Sequence, residues 1–257
     1  MSLRLYAINC GWQTGPLGLF LAGEHGRIRV PTPCYLVDHP KGKVLFDSGL
    51  HVDLQHDPAA RLGTIATVFD VQCRPGDEAR AQLAALDVDT ASIRFLVNSH
   101  LHFDHCGGND QIPGARLVVQ RREWDAGHES DQIAANYYDP RNYDLGHDVL
   151  VVDGEHDLFG DGSVVCIPTW GHTPGHQSLR VRGDHGEVVL AADACYLRRT
   201  LDELHLPAVL DDREAMLRSL HALRALRDRG AQIFYGHDPE FWATVPQAPA
   251  AVLSAGG

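Results

Sequence analysis

The amino-acid sequence predicts an α+β fold, a sandwich of two mixed β-sheets with helices on the outside. Strand-like apolar runs alternate with helical segments along all 257 residues, and no linker divides them, so residues 1–257 read as one domain. Polar residues also recur at one structural address, the position just beyond a strand: Asp47, His100, His172, Asp193 and His237. Strand ends of packed sheets form a common rim, and function tends to lie on loops held by such a scaffold.

Residues 3–8 alternate enough to form a first strand. Residues 11–30 follow, rich in glycine and carrying Trp12, Leu17, Leu19 and Phe20. They read as a long apolar loop that covers a pocket, binds a partner or collapses onto its own core. Residues 34–37 and 44–46 make a hairpin around His39-Pro40-Lys41-Gly42, and its second strand ends in Asp47-Ser48-Gly49. A carboxylate at Asp47 either orients a metal-binding histidine from behind or caps the turn. Residues 58–76 look irregular. Residues 77–86 look helical, with Asp77 and Glu78 at the start and Ala79, Leu83 and Leu86 on one side. The apolar run at residues 93–97 reads as a buried strand, residues 117–119 as another, and residues 121–126 as a short helix. Residues 128–148 hold Tyr137, Tyr138 and Tyr143 without a packed periodic face. That segment is a lid over a pocket, an arm toward a second subunit of a homodimer, or an ordinary surface helix and loop.

The second half repeats this rhythm. Residues 164–168 form a strand followed by T-W-G-H-T-P-G-H, and residues 177–181 and 187–192 form two more, the latter running into Asp193. Asp211 or Asp212 caps the clearest helix, which runs to about Asp228 with Met216, Leu217, Leu220, Leu223 and Leu226 as apolar positions. Gly230 is its natural stop. Residues 232–235 are the last expected strand, ending in Gly236-His237, and the Ala- and Pro-rich tail from Pro246 is expected to fray.

Lys and Arg number 22 against 34 Asp and Glu, and the resulting net charge of −12 argues against a nucleic-acid partner, which needs a basic surface. The six cysteines are scattered without a C-x-x-C pair, and read as small buried hydrophobes in a reducing compartment. Residues 1–9 lack the apolar core of a signal peptide. No stretch approaches the roughly 18 apolar residues of a membrane span. The expectation is a soluble cytoplasmic protein with no membrane partner.

Residues 100–109, H-L-H-F-D-H-C-G-G-N, place three histidines and a carboxylate within six residues, directly after the strand at 93–97. Histidine and aspartate suit a borderline metal such as zinc. His100 and His102 can point to one side, while Asp104 and His105 begin a second direction on the first turn of a helix. Four donors this close exceed the need of one tetrahedral ion once distant ligands join them, which suggests two ions side by side. Gly107 and Gly108 are expected to let the backbone turn tightly there.

H-x-H-x-D-H followed by Gly-Gly resembles the signature of the metallo-β-lactamase superfamily, in which the Asp-x-Gly at 47–49 also recurs. The resemblance implies the αββα form of the sandwich, two mixed sheets flanked by helices. It implies two divalent metal ions per chain, with zinc the default. His100, His102 and His172 would hold the first, Asp104, His105 and His237 the second, and Asp193 would bridge them. Tyr196 three residues after Asp193, together with Phe103 inside S-H-L-H-F-D-H-x-G-G-N, resembles the N-acyl-homoserine lactonase branch. Cys106 stands where that branch more often has a small apolar residue. The implied activity is that of a quorum-quenching lactonase, in which a metal-bridging hydroxide opens the lactone ring of a small-molecule substrate. Tyr196 would polarise the carbonyl and Asp104 would relay a proton. Phe20, Phe103, Tyr137 and Tyr196 are the expected pocket residues. The same metals would also serve a thioester hydrolase resembling glyoxalase II, which usually recognises a charged glutathione moiety. An iron-dependent redox enzyme on the same fold is the more distant alternative.

Overall fold

The structure, a computed structural model, describes residues 3–184 and 186–253. Two long antiparallel strands open the chain, β1 (Arg4–Pro16) and β2 (Arg27–His39), joined through one helical turn, α1 (Leu17–Phe20). β3 (Gly42–Phe46) returns along β2. Then come α2 (Pro58–Leu62), β4 (Asp70–Gln72), α3 (Ala79–Ala84) and β5 (Ile93–Val97). α4 (Phe103–Cys106), β6 (Arg116–Gln120), α5 (Arg121–Ala126), α6 (Ser130–Ala135) and β7 (Val149–Val152) close the first half. The second half contains β8 (His156–Asp157), β9 (Val164–Pro168), β10 (Gln177–Gly183) and β11 (Gly186–Leu190). It ends with α7 (Arg198–Glu203), α8 (Arg213–Asp228), β12 (Gln232–Phe234), α9 (Pro239–Trp242) and β13 (Ala251–Leu253).

The strands form an 8-stranded sheet in the order β13-β1-β2-β3-β5-β6-β7, with β4 on the far half of β1, and a 5-stranded sheet in the order β12-β11-β10-β9-β8. Both are mixed: β3, β5, β6 and β7 run parallel, as do β11 and β12, while the other pairs are antiparallel. Successive side chains on a strand face opposite sides, so an apolar strand can serve two cores. Val44 and Phe46 of β3 join Cys166 of β9, Leu179 of β10 and Leu190 of β11 in the core between the sheets. Leu45, with Leu96 and Leu117, packs on the outer side against Ala79 and Leu83 of α3. Val165, Ile167, Val189 and Ile233 likewise face outward onto Met216, Leu220 and Leu223 of α8. The αββα sandwich is thus a direct outcome of period-2 burial on both sheets.

α8 has the expected cap, with Asp212 accepting from the Ala215 amide at 3.0 Å. Residues 11–30 differ from the expected apolar loop: β1 runs on to Pro16 and pairs with Arg27–Pro31 of β2. Burial alternates along that stretch, but Gly11, Gln13 and Gly15 occupy the inward positions, so hydropathy cannot reveal it. Gly11, at φ +122°, sits at the register shift where β1 bends. Residues 58–76 are not wholly irregular either, since β4 pairs with β1 at Trp12, Gln13 and Thr14. The tail is held as far as Leu253: β13 pairs with Leu5 and Tyr6, and the Ala248 amide donates to the Ala7 carbonyl at 2.9 Å. Residues 254–257 lie outside the described residues. β7 and β13 were not expected from the sequence; each completes itself on a strand distant in the chain. Among the described residues no helix is long and apolar enough to cross a membrane.

Candidate active site

Strand ends converge on one rim of the sandwich. β3 ends at Asp47, β5 runs through Asn98 and Ser99 to His100, β9 leads to the loop carrying His172, β11 to Asp193, and β12 to His237. His102 is the N-cap of α4, and Asp104 and His105 lie on its single turn. The seven donors fall into two groups. One comprises His100, His102, His172 and Asp193; the other comprises Asp104, His105 and His237, and within each the ligand atoms lie within 4.8 Å of one another.

Asp193 divides its oxygens between the groups. Its Oδ2 stands 3.6 Å from His100 Nε2 and 3.4 Å from His172 Nε2. Its Oδ1 stands 3.2 Å from His105 Nε2 and 3.1 Å from His237 Nε2. In the first group, His102 Nδ1 lies 2.9 Å from His100 Nε2 and 3.1 Å from His172 Nε2. Three nitrogens crowded in this way cannot all be served by protons between them.

The outer nitrogens are already occupied. His102 Nε2 donates to the Asn136 carbonyl, His237 Nδ1 to the Pro31 carbonyl and His105 Nδ1 to Asp47 Oδ2, each at 2.8 Å. His100 Nδ1 lies 2.9 Å from Ser99 Oγ. For His102, His105 and His237 these acceptors fix an N–H outward and aim the other ring nitrogen into the cluster. His105 Nε2 and Asp193 Oδ1 are buried without a hydrogen-bond partner. Buried polar atoms without partners are costly, and a cation at the Asp104/His105/His237 group would satisfy both. The donor set therefore fits metal.

The electrostatics agree. Burial pulls His105 and His237 down, but the carboxylates of Asp193 and Asp104 outweigh it and hold both above the usual histidine range. Asp193, which burial raises, is drawn well below the carboxylate range by His105 and His237. Burial holds His100, His102 and His172 below their ordinary value, as neutral donors. The Asp104/His105/His237 side in particular calls for positive charge.

Asp47 is fully enclosed and also accepts from the Ser99 amide at 2.7 Å and the Ser99 hydroxyl at 2.8 Å. Gly107 and Gly108 differ from the expected tight turn, having φ of −59° and −93°, open to any residue. Their need for glycine is close approach: a Cβ on Gly107 would meet the Gly49 carbonyl oxygen at 2.7 Å, and one on Gly108 would strike the Ser48 carbonyl. Glycine here lets α4 seat against the end of β3.

Above the donors lies a cavity of about 230 Å³ whose walls include Leu19, Phe20, Ile65, Val68, Phe69, Tyr137 and Tyr196. Phe20, Tyr137 and Tyr196 thus stand where they were expected. Phe103 does not: it packs beside Leu50, Leu54 and Val71 and faces an adjoining groove. Only one tyrosine of residues 128–148 reaches the cavity. Tyr137 is 59% exposed, whereas Tyr138 and Tyr143 are core residues packed on Leu101 and Cys106. Tyr196 has its hydroxyl 3.4 Å from His172 Nδ1, and burial raises its phenol well above the ordinary range, so it remains an O–H donor.

Two residues escaped the sequence reading. Gln13 Nε2 donates to Asp104 Oδ2 at 2.6 Å across 91 residues, from a stretch read as loop. His176 accepts from the Asp193 amide at 3.1 Å, and burial pulls its pKa down to about 3, so it supports Asp193 as a neutral ring. The repeated histidine in G-H-T-P-G-H was the available signal for His176; Gln13 had none. All six cysteines are free and buried.

A profile of the family described as "Metallo-beta-lactamase superfamily" matches residues 27–237. The chain is 35% identical over 237 residues to an N-acyl homoserine lactonase AttM of Azorhizobium caulinodans, covering 88% of this chain and 89% of that protein. It is 34% identical over 234 residues to the AttM lactonase of Rhizobium johnstonii, with 88% and 89% covered. Among solved structures, it resembles an N-acyl homoserine lactone hydrolase with N-hexanoyl-L-homoserine bound at the catalytic metal center. That likeness has a TM-score of 0.87 at 25% identity and covers 98% of this chain and 100% of the other.

Proposed function

The chain belongs to the metallo-β-lactamase superfamily, and from that premise we propose that it is a dinuclear-metal hydrolase opening the lactone ring of N-acyl-homoserine lactones, a quorum-quenching lactonase. The observation that carries the reading is Asp193, one oxygen toward each donor group, on the floor of an apolar cavity beside the Tyr196 hydroxyl. His100, His102 and His172 would hold one divalent ion and Asp104, His105 and His237 the other, with Asp193 offering an oxygen to each group. Two such ions, zinc by the preference of His and Asp donors, would lower the pKa of a water and polarise the substrate carbonyl when bound.

The protein's own groups do the rest. The Tyr196 hydroxyl donates to the lactone carbonyl oxygen as negative charge gathers on it. Asp104, its Oδ2 fixed by the Gln13 amide, takes the proton of the attacking water. It returns that proton to the ring oxygen as the carbon–oxygen ester bond breaks. The new carbon–oxygen bond leaves a carboxylic acid and an alcohol in one product, an N-acyl-homoserine. Leu19, Phe20, Val68 and Phe69 form the wall that takes the acyl chain and excludes water from it. Asp47 keeps the His105 ring in register. All seven donors come from one chain, so the donor set needs no second subunit, and residues 128–148 remain the candidate arm for a homodimer. Six unpaired buried cysteines suit a reducing compartment, which supports the cytoplasm as its location.

The test is a panel of homoserine lactones of graded acyl length and a panel of thioesters, with metal content measured by elemental analysis. Lactones should release acid and give a product one water heavier, from protein holding two ions per chain. Thioester turnover far above that of every lactone would overturn the substrate assignment. Full activity with one firmly bound ion would overturn the dinuclear one.

A further inference from the structure

Glu123 is a fully buried carboxylate on α5 that takes no part in the chemistry above. Its Oε1 accepts from the Leu101 amide at 3.0 Å and from the Tyr138 hydroxyl at 2.6 Å. Its Oε2 accepts from the Thr173 hydroxyl and the Gly175 amide, each at 2.8 Å. An ionised carboxylate has about four lone-pair sites, and here all four face donors. Two of those donors are backbone N–H groups, which can only donate. Burial holds the carboxyl above its ordinary range, a rise that the same four donors limit.

The donors are not a random set. Leu101 lies between His100 and His102, and Thr173 follows His172. Tyr138 lies against the His102 ring, with centroids 5.7 Å apart, and Asn136 two residues before it accepts from His102. Gly175 is pressed so close that a Cβ there would collide with the Glu123 backbone nitrogen. One side chain therefore ties together the three segments that place His100, His102 and His172. It makes no such contact with Asp104, His105 or His237, whose supports are Gln13, Asp47 and Pro31. All four donors are neutral, and a cation held by those histidines would supply the positive charge that this carboxylate lacks.

We propose that Glu123 is a positioning residue for one of the two metals: it sets the spacing of the His100–His102 segment and the His172 loop, and with it the affinity of that group alone. The inference rests on the dinuclear reading and not on the identity of the substrate. Its test is stepwise cobalt(II) titration of metal-free protein, followed by visible absorption and elemental analysis. The parent, Glu123→Gln and, to identify the step, His172→Ala are compared. Glutamine keeps the shape but offers N–H groups to two donors. Glu123→Gln should weaken the step lost in His172→Ala by about 10–100-fold, as for other groups that support ligands from behind, and leave the other step within about 3-fold. Tyr138→Phe, which removes one donor, should weaken that same step by about 3–10-fold and decides the matter where Glu123→Gln does not fold. Both steps unchanged, or both weakened alike, would overturn the proposal. A parent that binds a single ion defeats the dinuclear reading itself; two parental steps with variants that keep both defeat only the role of Glu123.

Discussion

In the proposed reaction Tyr196 differs from the seven donors: it lines the cavity with its hydroxyl and is given no ion to hold. Losing an oxyanion donor can cost about 10²–10³ in rate, but here a cation shares the work. Tyr196→Phe should therefore lower kcat about 10-fold, or about 1.4 kcal/mol, with two metals still bound. Rates on one lactone and metal analysis of the same sample check this; parental kcat and KM would make Tyr196 mere packing. The donors were legible because His and Asp stand at strand ends, where residue type and position both speak. Gln13 and Glu123 were not, because each is an ordinary polar residue that gains meaning only from a partner far off in the chain. Gln13 meets Asp104 across 91 residues and Glu123 meets Gly175 across 52. Phe103 was misjudged for the converse reason: its neighbours in the motif face the donor cluster, but one step along a helical turn sends its ring to Leu54 and Val71.

Helix α8 does more than cover the second sheet. Its N-terminal turn meets the loop that carries His172: the Asp211 and Asp212 amides donate to the Gly171 carbonyl at 2.9 and 3.0 Å. Gly171 has φ +123°, and a Cβ there would run into the Met216 backbone nitrogen. Gly171→Ala should cost about 1–3 kcal/mol in backbone strain alone and displace His172, so metal affinity should fall together with the urea midpoint. Unchanged values of both would show that the loop can shift without loss. α8, β5 and β9 were plain in the sequence because each has an apolar pattern that packing merely confirms. β4 and β13 were hidden, being three residues each and strands only by virtue of pairing with β1. A partner's edge leaves no trace in local hydropathy.

The core between the sheets draws Leu5, Val37 and Val97 from one sheet and Val164, Val181 and Phe234 from the other. Neither sheet can lose its partner and keep that face dry, so we expect the chain to unfold as one unit. Urea transitions followed by tryptophan fluorescence and by circular dichroism should coincide. Zinc at 100 times its dissociation constant should add about 2.7 kcal/mol per site, and a chelator should remove it. Separate transitions by the two probes would divide the chain into two domains, and a midpoint indifferent to chelator would mean that no ion stabilises the fold. The layered class was legible from alternation, whereas the order of strands was not. β1 alone collects partners from β2, β4 and β13, three separate regions of the chain.

Two of the donors, His102 and His237, take their orientation from main-chain oxygens, those of Asn136 and Pro31. A main-chain acceptor is indifferent to the side chain borne by its residue. Exchange of one amino acid for another at position 31 or 136 leaves the oxygen in place, so these supports tolerate drift in residue identity. Insertion or deletion of a single residue beside either one moves the oxygen and releases the ring. Around these two histidines the constraint on descendants of this chain falls on segment length, not on composition.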